Sequence, residues 1–117
     1  MMMPALTGQR VFCIAALSLV LSGIVPGPTV GAREPATHTV TIDASRYEPR
    51  QLTVQAGDTV VWVNNDLVAH TATSRAGGFD SGRIAPGQSW SYRVTRHGDF
   101  AYTCSYHPTM KATLSVK

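Results

Sequence analysis

Phe100-Ala-Tyr-Thr-Cys-Ser-Tyr-His-Pro-Thr-Met-Lys-Ala-Thr-Leu-Ser-Val116 reads as strand, loop and strand. Phe100, Tyr102 and Cys104 share one face, and Met110, Ala112, Leu114 and Val116 alternate to the end. A period of two with Thr, Val and aromatic residues is a strand signature. Cys104 closes the first strand, and His107 and Met110 lie on the loop that follows. Outward from this stretch the same period recurs at Val40 and Ile42, at Leu52 and Val54, and at Trp90, Tyr92 and Val94. Val60-Val-Trp-Val63 is a β-branched and aromatic run. Turn signals separate the runs at Ala56-Gly-Asp58, Asn64-Asn-Asp66, Ala76-Gly-Gly78, Asp80-Ser-Gly82, Ala85-Pro-Gly87 and His97-Gly-Asp99. No stretch of ten or more residues carries a helical stripe. Short strands at this spacing predict an all-β sandwich or barrel. Its neighbours should be mostly antiparallel, because long crossovers are lacking. The exception is a first strand free to pair in parallel with a distant one.

The first third of the 117-residue chain has another character. Arg10 precedes the apolar run Val11–Val25, then Pro26-Gly-Pro28 and the small-residue segment Val30-Gly-Ala32. That is the order of a secretory signal. An uncleaved membrane anchor is the competing reading. The run is about 15 residues against roughly 20 for a spanning helix, and Ser and Gly interrupt it. Residues 1–32 are therefore expected to be a signal peptide and 33–117 the folded domain, periplasmic or secreted. No twin-Arg pair is present, and Cys13 lacks the small residues that precede a lipid-modified Cys. After cleavage Lys+Arg falls from 10 to 9 against seven acidic residues, a net charge of about +2. The basic residues are scattered, which argues against a nucleic-acid partner.

Cleavage leaves Cys104 as the lone thiol of a small exported domain. Such a thiol must be buried, metal-bound or paired with another chain. The spacing C-x-x-H-x-x-M sets Cys104, His107 and Met110 on one short loop, and His70 lies upstream behind Val60–Asp66. Two imidazoles, a thiolate and a weak thioether form the donor set of a blue-copper site. Taken singly, each residue has a plainer reading. Cys104 could be a core thiol, Met110 the first core residue of the last strand, and His70 a loop histidine. Their coincidence favours joint ligation. His38 and His97 gain no such support and read as exposed, structural residues. Met is a poor zinc ligand, and neither CxxC nor CxxCH occurs, which argues against zinc, a thioredoxin-like centre and c-type haem. A cysteine nucleophile would lack an oriented third group.

The chain resembles the small cupredoxins of the plastocyanin, pseudoazurin and amicyanin group. The resemblance rests on Tyr47-Glu-Pro49, Leu52-Thr-Val54, Ala56–Val60, Trp62–Asp66, Phe79-Asp-Ser-Gly82, Pro86-Gly87 and the amicyanin-like short loop from Cys104 to Met110. It implies an all-β, mostly antiparallel Greek-key β-sandwich of about eight strands. It also implies a single type 1 copper ion on His70, Cys104, His107 and Met110. Two positions depart from the pattern: Ala69 stands where many members have Pro, and Thr71 where several have Asn. In the family that second position bonds across to the Cys-bearing loop, a role open to the Thr71 hydroxyl.

The implied function is a soluble, monomeric one-electron carrier, with no membrane span after signal cleavage. It would dock weakly on redox proteins such as a cytochrome, a dehydrogenase or an oxidase. His107 would be its surface ligand, ringed by Val68, Ala69, Pro108 and Thr109. The alternative is a copper-handling protein for storage or delivery. An enzyme is disfavoured, because four protein donors leave no open position on the metal.

Overall fold

A computed structural model describes residues 18–25, 27 and 33–117. Most of the expected signal peptide lies outside the described residues. Nine strands lie within Arg33–Lys117, one compact unit: β1 (Thr37–Asp43), β2 (Arg46–Glu48), β3 (Gln51–Val54), β4 (Thr59–Asn64), β5 (Thr73–Ser74), β6 (Phe79–Asp80), β7 (Ser89–Arg93), β8 (Gly98–Thr103) and β9 (Lys111–Val116). No helix long and apolar enough to cross a membrane occurs among the described residues.

The strands form two sheets, ordered β2-β1-β4-β7 and β3-β9-β8-β5-β6. This is the all-β, mostly antiparallel fold that the alternation predicts, in the Greek-key sandwich form that the resemblance implies. Two pairings are parallel. β1 runs beside β4 from Thr37↔Thr59 to Ile42↔Asn64, as expected for the first strand. β3 runs beside β9 from Gln51↔Thr113 to Val54↔Val116, which was not anticipated. A sandwich supplies the long connection that this second pair needs, because the intervening chain builds parts of both sheets. The count exceeds the expected eight because Arg75–Gly78 folds β5 and β6 into a hairpin with two-residue arms. The strand expected to start after the His97-Gly-Asp99 turn instead begins at Gly98, whose φ of 142° suits glycine.

Alternation fixes which side chains meet between the sheets. Val40 and Ile42 of β1, Val60 and Trp62 of β4, and Leu114 and Val116 of β9 are all buried. Trp62 is the hub. Its ring lies 5.6 Å from Tyr102, nearly perpendicular at 87°, and 5.4 Å from Trp90. Tyr47 meets Tyr102 edge-on at 4.7 Å. Burial pushes the Tyr102 phenol up to about 12.

β4 is flanked by buried polar residues. Just before it, Asp58 is wholly buried and accepts hydrogen bonds from both guanidinium nitrogens of Arg33 at 3.0 Å, and from the backbone N–H groups of Ala36 and Gln55. His38 Nε2 lies 2.9 Å from the same carboxylate. His38 is therefore half-buried and paired, a correction to the expectation of an exposed residue; Asp58, distant in sequence, captures it. His97 is exposed, as expected. Asn64 closes β4 at the other end and is equally buried.

Two outcomes are expected. Trp62→Ala should lower unfolding free energy by about 3–5 kcal/mol, the usual cost of truncating a large aromatic in a packed core; a loss below 1 kcal/mol in urea titration would contradict its central place. The second concerns Asp58, whose carboxyl is held far below the ordinary carboxylate range, chiefly by the Arg33 hydrogen bonds and then by the N–H of Ala36. The unfolded chain then binds the proton more readily. The stabilisation is complete above about pH 4 and is lost as pH falls through the depressed folded value. Asp58→Asn should melt at lower temperature near neutrality and show a flatter decline of melting temperature in acid than the parent.

Candidate metal centre

Beyond β4 the chain turns through Asn65–Ala72 and carries the first candidate donor. Asn64 shapes this loop: its amide donates to the carbonyls of Val68 and Ile84, each at 2.9 Å, and its Oδ1 accepts the N–H of Asp66 at 2.9 Å. His70 is then held on both sides of its backbone by Ile84, at 3.1 and 2.8 Å. Its side chain is fully buried. Nδ1 faces Cys104 Sγ at 3.8 Å, and Nε2 lies 2.8 Å from Asp66 Oδ2. Asp66 is held below the ordinary carboxylate range by the Ser45 N–H first, then by His70 and the Leu67 N–H.

The other donors flank the end of β8. Cys104, the residue after β8, is fully buried. Backbone hydrogen bonds fold the loop that follows: His107 N–H to the Cys104 carbonyl at 3.3 Å, Met110 N–H to the His107 carbonyl at 2.9 Å, and Cys104 N–H to the Met110 carbonyl at 3.3 Å. Pro108 has no N–H to compete in this turn. The loop brings His107 Nδ1 to 3.8 Å from the Cys104 sulfur. One ligand atom from each of His70, Cys104 and His107 lies within 4.8 Å of the others. Two of the three residues are buried and His107 is exposed. Met110 is buried just before β9, tied to Cys104 and His107 through its backbone.

The donor chemistry fits a first-row ion. Bonds of about 2.3 Å to sulfur and 2.0–2.1 Å to nitrogen, at angles between tetrahedral and trigonal, separate the two atoms by about 3.5–3.8 Å. Both sulfur–nitrogen separations are 3.8 Å, at the upper edge of that window. A thiolate with two imidazoles suits copper.

Thr71 joins the two segments. Its N–H points at Cys104 Sγ at 3.4 Å, and its hydroxyl accepts the Ser105 N–H at 2.8 Å. Tyr47 donates its hydroxyl to the Thr71 carbonyl. Threonine thus makes the cross-loop bond that the sequence left open. Its hydroxyl also contacts Thr73 at 2.9 Å and Ser105 Oγ at 3.3 Å. In the sequence Asn64 and Asp66 read as turn formers within a family signpost, with no role assigned to either at the site. Nothing in Asn64-Asn-Asp66 distinguishes residues that organise a site from residues that merely reverse the chain. Ile84 carried no signal at all.

The Cupredoxin-like domain family profile matches residues 11–116. The chain belongs to this family. Among relatives of the cupredoxin-like domain, amicyanin of Paracoccus versutus is 29% identical over 96 residues, spanning 77% of this chain and 73% of amicyanin. Plastocyanin of Scenedesmus fuscus is 33% identical over 84 residues, spanning 61% of this chain and 86% of plastocyanin. Among solved structures, a purple cupredoxin from Nitrosopumilus maritimus superposes with a TM-score of 0.63 at 26% identity, over 68% of this chain and 99% of that one. A Cu-containing nitrite reductase from Thermus scotoductus superposes with a TM-score of 0.66 at 27% identity, over 74% of this chain but 23% of the reductase. This cupredoxin-like domain is closely related to the amicyanins and plastocyanins, and its His-Cys-His cluster is consistent with a single-copper redox site.

Thr71→Val keeps the shape of the side chain and removes the hydroxyl. It should remove the acceptor of the Ser105 N–H and cost about 0.5–1.5 kcal/mol, the net worth of a typical hydrogen bond. Thermal melting of metal-free protein checks this, and a variant as stable as the parent would show that the cross-loop bond contributes nothing.

Proposed function

We propose that this cupredoxin is a type 1 copper protein that carries single electrons between redox proteins after export, with residues 1–32 as its signal peptide and 33–117 as the working domain. The observation that carries the reading is the buried thiol of Cys104 with the Nδ1 atoms of His70 and His107 each 3.8 Å away. Met110 is assigned as the fourth, weak donor, because it follows on the same loop and is buried beside it. Copper, when bound, supplies a one-electron couple between Cu(I) and Cu(II).

The chain's own part is to hold the donors still. His70 is clamped by Ile84, and the Cys104 sulfur accepts the Thr71 N–H. Donors on loops tied to a packed β-sandwich move little between two charge states, so little rearrangement opposes electron transfer. His107 supplies the route outward, since it is the exposed member of the cluster. On the two loops that carry the proposed donors, Val68 and Tyr106 are about half exposed, at 49% and 51%, and Leu67 is almost wholly exposed at 92%. Pro108 and Thr109 are exposed as well. This rim suits brief docking of a redox protein such as a cytochrome, a dehydrogenase or an oxidase, which needs only a small interface. A monomer in the periplasm or outside the cell is the form proposed.

The alternative, copper storage or delivery, draws on the same exposure of His107, through which a competing ligand could reach the metal. Full burial of His70 and Cys104 favours retention instead. An enzymatic role finds less support, because four protein donors leave no vacancy for substrate. A recess of about 740 Å³ lies beside Ser105, and its lining includes none of the four proposed donors.

Copper-loaded protein should be intensely blue to green, purple included, from thiolate charge transfer. Cys104→Ser should lose the colour and keep a β-rich circular dichroism spectrum. A colourless parent complex would reject the type 1 reading, whereas colour combined with copper loss to a chelator within minutes would favour handling over electron transfer.

A further inference from the structure

We propose that Asp66 is a positioning residue for the candidate centre: its carboxylate fixes the tautomer and ring orientation of His70 and favours the more highly charged state of a bound copper ion. This rests on the copper reading above.

Asp66 Oδ2 lies 2.8 Å from His70 Nε2 and also accepts the Ser45 N–H at 2.9 Å. Oδ1 accepts the N–H of Leu67 at 2.9 Å. An ionised carboxylate can only accept. Nε2 therefore carries the ring hydrogen, and Nδ1 presents its lone pair towards the Cys104 sulfur. Three hydrogen bonds from separate groups aim the carboxylate, so the imidazole plane follows the loop and not solvent. A carboxylate on the far nitrogen of a metal-binding His also raises the donor strength of the near one.

Charge makes the effect selective. The His70 side chain is fully buried and that of Asp66 is 17% exposed, so water screens the pair little. Negative charge behind the ring stabilises Cu(II) more than Cu(I), because the former carries one more positive charge. His107 has no carboxylate within ion-pair distance among the described residues. The two imidazoles are thus unequal: one is backed by an anion inside the protein, the other faces solvent.

Asp66 also ties the β1–β2 turn to the loop through Ser45, so a purely architectural role must be separated from tuning. The test compares the parent with Asp66→Asn and Asp66→Ala. Reduction potentials of the copper-loaded proteins are measured at fixed pH and ionic strength, and the His70 ring nitrogens of the metal-free parent are read by NMR. Asp66→Asn should keep the charge-transfer colour and lower the ratio of Cu(II) to Cu(I) affinity about tenfold, a rise of about 59 mV for a one-electron couple. The metal-free parent should show His70 as the Nε2–H tautomer with a slowly exchanging proton, and Asp66→Ala should lose that protection. A merely architectural residue would change the melting temperature and leave the potential in place. Unchanged potentials in coloured variants, or an Nδ1–H tautomer in the metal-free parent, would overturn the proposal. A colourless parent would overturn the copper reading and this proposal together, a failure seen before any substitution is made.

Discussion

Thr71 is the constraint through which the two halves of the candidate centre meet. Its N–H faces the Cys104 sulfur, its hydroxyl receives the Ser105 N–H, and its carbonyl receives the Tyr47 hydroxyl. One buried residue therefore connects the His70 segment, the Cys104 loop and the aromatic core. Tyr47 in turn packs against Tyr102, and Tyr102 against Trp62. Displacing any of these rings would move the peptide that faces the sulfur. In a close-packed interior such displacements are resisted collectively, since each ring is held by several neighbours.

Much of this was legible in the chain. Alternation at Val40 and Ile42, at Leu52 and Val54 and from Phe100 to Val116 marks the strands and their buried faces, because a pleated strand sends successive side chains to opposite sides. The candidate donors on the Cys104 loop stand out in the chain because Cys104, His107 and Met110 sit within seven residues and differ in chemistry from their surroundings. What the chain conceals is partnership at a distance. His38 looks like an exposed histidine until Asp58, 20 residues away, is found beside it. Asp66 looks like a turn residue until the loop returns His70 to its carboxylate. The parallel pairing of β3 with β9 is equally hidden, since it depends on how two sheets are laid together and on no local preference.

Burying Asp58 and Asn64 is costly unless each finds partners. Both do, and both sit at ends of the segment that carries Trp62. Asp58 gathers Arg33, Ala36, His38 and Gln55, whereas Asn64 gathers Asp66, Val68 and Ile84. The central strand is thereby anchored to the lead of the domain at one end and to the donor-bearing loop at the other. Apolar replacements could fill the same space, but they would not specify which loop lies against which end. Here the buried polar groups act as addresses as well as sources of stability.

The place of β9 bears on the order in which the molecule can assemble. It lies between β3 and β8, so the last strand in the chain is interior to its sheet. Gln51 cannot meet Thr113 until nearly the whole domain has been synthesised. Closing so long a span costs entropy that only the completed sheet returns, and folds dominated by such distant contacts form slowly. Until that strand arrives, the edges of β3 and β8 that it joins lack their pairing partner. The second sheet therefore closes only once β9 enters between β3 and β8.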